Sequence, residues 1–154
     1  MRRPFARRSK RSVRFARRCK VSGIHFQGDC GMKWVGLVAG GIAGTVARYV
    51  LAGTVYRFWG SDFPYGTLLV NLAGCLLIGF LSALAEDKLI LGPNLRILLM
   101  AGFCGAFTTF STFMYETAHL MRDGQTAQAF LNVAVSVIAG FFLFRLGVLI
   151  GDWI

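Results

Sequence analysis

Acidic side chains are scarce in this sequence. It holds seven Asp and Glu among 154 residues, and charged residues of both signs make up 16%. Soluble domains carry more charge than that, about a quarter of their residues, so an ordinary water-exposed globule is excluded. Histidine is scarcer still. His25 and His119 are the two present, and neither has a nucleophile–base arrangement around it in sequence, which leaves covalent catalysis unsupported. The four cysteines form no CxxC pair and no Cys/His metal spacing, so neither a redox couple nor a structural zinc site is indicated. Cys19 and Cys30 precede the apolar part of the chain. Cys75 and Cys104 lie inside it, where a thiol acts as small apolar filler. No ATP-binding motif is evident. The opening "MRRPFARRSKRSVRFARRCK" lacks the apolar core of a secretory signal. The absences together point away from an enzyme.

Hydrophobic residues dominate instead, at 55% of the chain, with a mean hydropathy of +0.58. About 20 apolar residues cross a bilayer core as a helix. Four segments approach that length: Trp34–Tyr56, Gly66–Ala85, Ile97–Leu120 and Ala127–Ile150. They predict an all-α, four-span membrane protein of one domain, residues 32–154.

The net charge of +10 belongs almost wholly to the first 32 residues, which hold ten of the seventeen Lys and Arg against Asp29 alone. The body that follows has seven basic and six acidic residues. An Arg-rich, acid-free run of this kind suits a transit peptide, or a disordered arm on anionic lipid or nucleic acid. Met32 is followed at once by "KWVGLVAGG", a natural beginning for a membrane protein. Residues 1–31 are therefore read as a disordered extension or a start assigned too far upstream, and no nucleic-acid partner is expected. In the body, Lys33, Lys88, Arg96 and Arg145 fall on one side of a four-span arrangement, and Arg48, Arg57 and Arg122 on the other. The positive-inside rule then gives almost no bias, as a protein inserting in both orientations requires.

Small residues Gly36, Gly40, Gly44 and Ala47 repeat along one face of the first span, a pattern that lets membrane helices approach closely. Arg48 sits just past the middle of that span. A charge at such depth suggests function by default, although a long side chain can also snorkel to the interface. Asn71 is the one strongly polar side chain within the second span. It shares a face with Gly74, Cys75, Ile78 and Gly79, and it suits either a pore or a bond to a neighbouring helix. On the fourth span Asn132, Ser136 and Gly140 are spaced four apart as a narrow polar track.

The third span carries "GFCGAFTTFSTF", Gly102–Phe113. Gly105 tolerates unusual dihedrals, and Thr108, Thr109, Ser111 and Thr112 can bond freed backbone groups. A break at membrane depth is allowed only where it is buried in protein or lines a watery cavity, and there it can hold ions. A flexible but continuous helix is the alternative. Phe110 and Phe113 share a face. Phenyl ring edges are electropositive and could line an anion path without a fixed charge.

"GGIAGTVARY", "GTLLVNLAGCLLIG" and "GFCGAFTTFSTFMYE", in this order and spacing, resemble the Fluc/CrcB fluoride channels over essentially Met32–Ile154. The resemblance implies an antiparallel, dual-topology homodimer with a broken third helix, in the inner membrane of a bacterium. It implies passive export of cytoplasmic fluoride. It assigns Asn71, Phe110, Phe113 and Ser136 to the fluoride path, Arg48 to a vestibule, and Glu116 to the acid after the aromatic pair; the Thr112 hydroxyl and the Asn132 amide are read as further polar groups of that path. It also implies a sodium ion on the dimer axis, held by backbone carbonyls of Gly105 and Thr108. The fourth span departs from some members, with Asn132 in place of a tyrosine and Gly140 in place of a second serine. Two rivals remain. A small dual-topology multidrug exporter normally needs an acid in its first span, where this chain has Arg48. A non-transporting assembly subunit would leave the Thr-rich segment unexplained.

Overall fold

A computed structural model describes residues 20–21, 24–25, 30–87 and 90–154. The chain divides into two units, Met1–Gly31 and Met32–Ile154. In the first, β1 (Lys20–Val21) and β2 (Ile24–His25) pair antiparallel, Lys20 opposite His25. The remainder of the basic extension, and the expectation attached to it, lie outside the described residues.

The second unit is helical. Helix α1 is Cys30–Trp59, and α2 is Tyr65–Ser82, running on as a π-helical turn, π1, over Ala83–Asp87. The third span starts as α3 (Pro93–Arg96), widens into π2 (Ile97–Cys104), and narrows to α4 (Gly105–Phe107). Helix α5 covers Phe110–Arg122 and α6 covers Thr126–Trp153. Among the described residues, four stretches are long and apolar enough to cross a membrane: Gly31–Trp59, Tyr65–Glu86, Pro93–Arg122 and Thr126–Trp153. Each matches one of the predicted spans and extends it by a few residues, because polar end residues continue a helix that hydropathy alone would stop.

Glycines set how closely the helices pack. A Cβ on Gly79 of α2 would collide with the Phe144 carbonyl of α6, and one on Gly147 of α6 would collide with the Leu76 carbonyl of α2. The contact is reciprocal, backbone against backbone. The small-residue face of α1 works the same way against the third span: Cβ atoms at Gly40 and Gly44 would strike the carbonyls of Leu98 and Phe103. With no hydrophobic drive between helices in lipid, this close packing is what holds them together. The outer face of α1, with Val35, Val38, Ile42 and Val46, stays exposed, as a surface suited to lipid would.

Two turns fix the ends. After α1, Gly60 takes φ +77°, and Phe63 plugs into a small core with Leu120 and Ala129. After α5, Gly124 takes φ +76°; its N–H donates to Met121 O (3.2 Å) while Gln125 N–H donates to Leu120 O (2.8 Å). That pair of bonds is a Schellman motif, which needs a left-handed residue where Gly124 stands. It turns α6 back beside α5.

The seam between α2 and α6 gives a direct test. Gly147→Leu should destabilise the protein by at least about 1–3 kcal/mol, because the obstacle is backbone rather than a movable side chain. At Gly41 a Cβ would meet nothing within 4 Å, so alanine there should be accepted without loss. Thermal unfolding of both variants in detergent checks this.

Candidate functional site

Two residues of the third span leave the helix. Thr108 has φ −83°, ψ 156° and Thr109 has φ −147°, ψ 113°, both extended. In a continuous helix the Thr109 N–H would bond Gly105 O. Here it donates to Asn71 Oδ1 at 2.8 Å, and Asn71 Nδ2 donates back to Thr109 O at 3.1 Å. One side-chain amide thus satisfies both backbone groups of Thr109. Gly74, one turn further along α2, has no Cβ, and Thr108 Cγ2 occupies the space that one would fill. Asn71 and Gly74 together seat the extended pair on α2. Thr109 then caps α5: its Oγ1 accepts from Thr112 N (3.3 Å) and donates to Thr112 Oγ1 (2.9 Å). A Thr at this position satisfies one of the orphan N–H groups of a helix start. The amides that would have closed turns on Gly105 O and Thr108 O are therefore both engaged elsewhere.

Beside this segment lies a groove of about 470 Å³, lined by Asn71, Gly105, Thr108, Phe110, Phe113 and Ser136, with Cys75 and Cys104 among its apolar walls. Six residues singled out from the sequence meet here. Phe113 is 6% exposed and Phe110 74%; their ring centroids are 6.0 Å apart, tilted at 45°. Ser136 Oγ is buried and has no hydrogen-bond partner, so its hydroxyl proton is available to a ligand in the groove.

A second cavity, about 430 Å³, is lined by Arg48, Thr109, Thr112 and Glu116. It approaches the same extended pair from the α1 side. Glu116 Oε1 accepts from Tyr56 OH and from Thr67 Oγ1, each at 2.9 Å. Its Oε2 is buried without a partner, an uncommon state for a carboxylate oxygen. Tyr56 and Glu116 also border a third cavity, of about 390 Å³, with Asp62, His119 and Asp123. His119 Nδ1 and Asp123 Oδ2 are 3.0 Å apart there. The groups joined at Glu116 tie α1, α2 and α5 together.

Asn132 is elsewhere. It does not line the groove; it is 1% exposed, and its amide bonds Thr117. Sequence reasoning did not single out Tyr56, Thr67 or Thr117. Each is an ordinary polar residue on a helix, and only the facing helix gives it a partner. No group of three or more His, Cys, Asp or Glu able to hold a metal occurs among the described residues, so any cation here would rely on backbone or hydroxyl oxygen.

Residues 35–148 match the family described as CrcB-like protein, Camphor Resistance (CrcB). The chain belongs to the CrcB family. It is 56% identical over 110 residues to the Fluoride-specific ion channel FluC of Chlorobaculum tepidum, covering 71% of this chain and 86% of that one. Against the protein of the same name from Chlorobium phaeobacteroides it is 48% identical over 109 residues, 71% of this chain and 84% of the relative. Against that of Maridesulfovibrio salexigens it is 44% identical over 109 residues, 71% and 86% of the two chains. With four helices of membrane-spanning length, this CrcB chain is a multi-pass integral protein of a bacterial membrane.

The Asn71 amide carries a prediction of its own. Asn71→Leu strands the Thr109 N–H and C=O in an apolar setting. Two lost bonds of this type should cost about 2–5 kcal/mol. Asn71→Asp keeps the acceptor for Thr109 N–H but sets an anionic oxygen against Thr109 O, and should fall in between or lower. Thermal unfolding, with amide exchange followed at Thr109 and Thr112, reads both effects.

Proposed function

We propose that the protein is a fluoride-selective channel that lets cytoplasmic fluoride leave passively, as an antiparallel, dual-topology homodimer in the bacterial inner membrane. The observation that carries this reading is the groove itself. It gathers two phenyl rings, the unpartnered Ser136 hydroxyl and the start of α5 around an interruption in the third span. The names of the relatives give the ion its identity, and the near-zero charge bias across the body suits insertion in both orientations.

Fluoride is small and strongly hydrated, so a path must replace its water with convergent donors or the cost of desolvation blocks it. The Ser136 hydroxyl, the amide of Asn71 and the ring edges of Phe110 and Phe113 are the donors in the groove, and the Thr112 hydroxyl is the donor in the Arg48 cavity on the α1 side. The N-terminus of α5 adds N–H groups and the positive end of a helix dipole. Asn132 supports the path from the fourth span. Arg48, which lines the cavity that reaches Thr112, would draw anions toward it, with Glu116 also in its lining. Phe110 is largely exposed on one protomer, and in the proposed dimer the second copy covers it.

Sodium fits the interruption. Gly105 O and Thr108 O have lost the amides that would occupy them, and a Cβ at Gly105 would find only Met100 O, at 3.9 Å. Carbonyl oxygen is the hard donor that such a cation takes. Two such carbonyls from each protomer would hold it, and the ion would supply a fixed positive charge and a clamp between the copies. The flux needs no catalytic residue and no enzyme chemistry. An inside-negative voltage drives an anion outward by about 2.3 kcal/mol per charge per 100 mV. The small multidrug exporter reading is weaker, since Arg48 stands where proton-coupled exchange would need an acid.

Purified protein in potassium-loaded liposomes should release fluoride when voltage is imposed, with no matching chloride leak. Equal fluoride and chloride rates would refute selectivity. Phe110→Ile should slow the release at least about tenfold, the effect of losing one modest stabilising contact of about 1.4 kcal/mol at the barrier. Replacing sodium by a large organic cation throughout should weaken the dimer or abolish flux.

A further inference from the structure

Asn132 stands one turn before Ser136 on α6, yet it faces a different partner. Its Nδ2 donates to Thr117 Oγ1 at 2.9 Å. The Thr117 hydroxyl in turn donates to Phe113 O at 2.7 Å. Thr117 is 5% exposed. A hydroxyl has one proton to give; by accepting from Asn132, Oγ1 is oriented so that its proton meets the Phe113 carbonyl. An unbroken chain therefore runs from α6 to the backbone of the residue whose ring forms a wall of the groove.

The other end of the same helical turn is held from α2. Asn71 fixes Thr109, four residues before Phe113. The first turn of α5 is thus pinned between two amides on two different helices. The Asn132 amide is committed to this task. An amide serving a passing anion would turn its NH₂ toward the path. Here one N–H of the amide is given to Thr117, the Oδ1 has no partner, and the side chain, unlike that of Asn71, is absent from the groove lining.

We propose that Asn132 is a positioning residue that acts through Thr117 to set the Phe113 ring in the groove, and is not itself a ligand of the permeating ion. The inference rests on the channel reading above and refines the role of one residue in it. Asn132 and Thr117 form one unit, so removing either should have the same consequence, and removing both should add nothing.

Fluoride efflux from liposomes is compared for wild type, Asn132→Leu, Thr117→Val, Thr117→Ser and the double variant Asn132→Leu/Thr117→Val. Both single variants should slow efflux about tenfold, the rate equivalent of one net hydrogen bond. The double variant should be no slower than either, and Thr117→Ser, which keeps the hydroxyl, should remain near wild type. As a second readout, 4-fluorophenylalanine incorporated at Phe113 should show the same displaced or broadened ¹⁹F resonance in Asn132→Leu and Thr117→Val, and a wild-type resonance in Thr117→Ser. That measurement needs no conduction and separates a moved ring from a lost fold. Thr117→Val passing fluoride at the wild-type rate would overturn the inference alone, as would multiplicative slowing in the double variant. Wild-type vesicles that pass no fluoride would overturn the channel reading and this inference with it.

Discussion

A membrane interior supplies no water to backbone groups, so every N–H and C=O there must find a partner in the protein. The paired bonds between Asn71 and Thr109 meet that demand at the one place where the third span leaves its helix. Asn71 acts as a single rung of sheet, donating and accepting across one residue. With that rung in place, Thr108 and Thr109 can be extended, α5 can begin afresh at Phe110, and the carbonyls behind it are left without amides. The groove, the cap of Thr109 on Thr112 and the approach of the Arg48 cavity all depend on this local exchange.

Much of this was legible in the sequence. The four apolar runs read correctly because hydropathy integrates over many residues and tolerates error at the ends. The face of Gly36, Gly40 and Gly44 read correctly because a helical period carries it, and the structure sets that face against the third span. Asn71 stood out as an isolated amide suited to a pore or to a neighbouring helix; in the structure it bonds the neighbouring backbone. What periodicity could not supply was partnership. Asn132 and Ser136 share a track on α6, but one faces Thr117 and the other the groove. Thr67 and Tyr56 gain their meaning from each other and from Glu116, partners on facing helices that no periodicity marks. Nothing in "NLRILLMAGFC" announced the π-helical stretch Ile97–Cys104, because its composition is that of any greasy helix.

That π-helical stretch bears on packing. Each wide turn shifts the faces that follow it, and Gly102 lies at its end, against Gly40 of α1 at 3.1 Å from a would-be Cβ. The close approach of the first and third spans thus occurs just ahead of the extended pair. The opposite side of the molecule is bound by the α2–α6 seam. The extended residues lie between two tightly packed helix pairs, with α2 carrying the contacts that hold them.

The extended pair also sets length and phase. A helical residue advances about 1.5 Å and turns about 100°, whereas an extended residue advances about 3.3 Å. Thr108 and Thr109 therefore carry α5 about 3.6 Å farther along the span than two helical residues would. Winding them into the helix would pull α5 back by that amount and rotate it relative to the groove. Phe110 and Phe113 would leave their wall together, and the Asn71 amide would lose both its partners in the same step. The ruler and the screw are thus coupled: the register of every side chain beyond Thr109 is set by two dihedral choices, and no gradual slide leads from one register to the other.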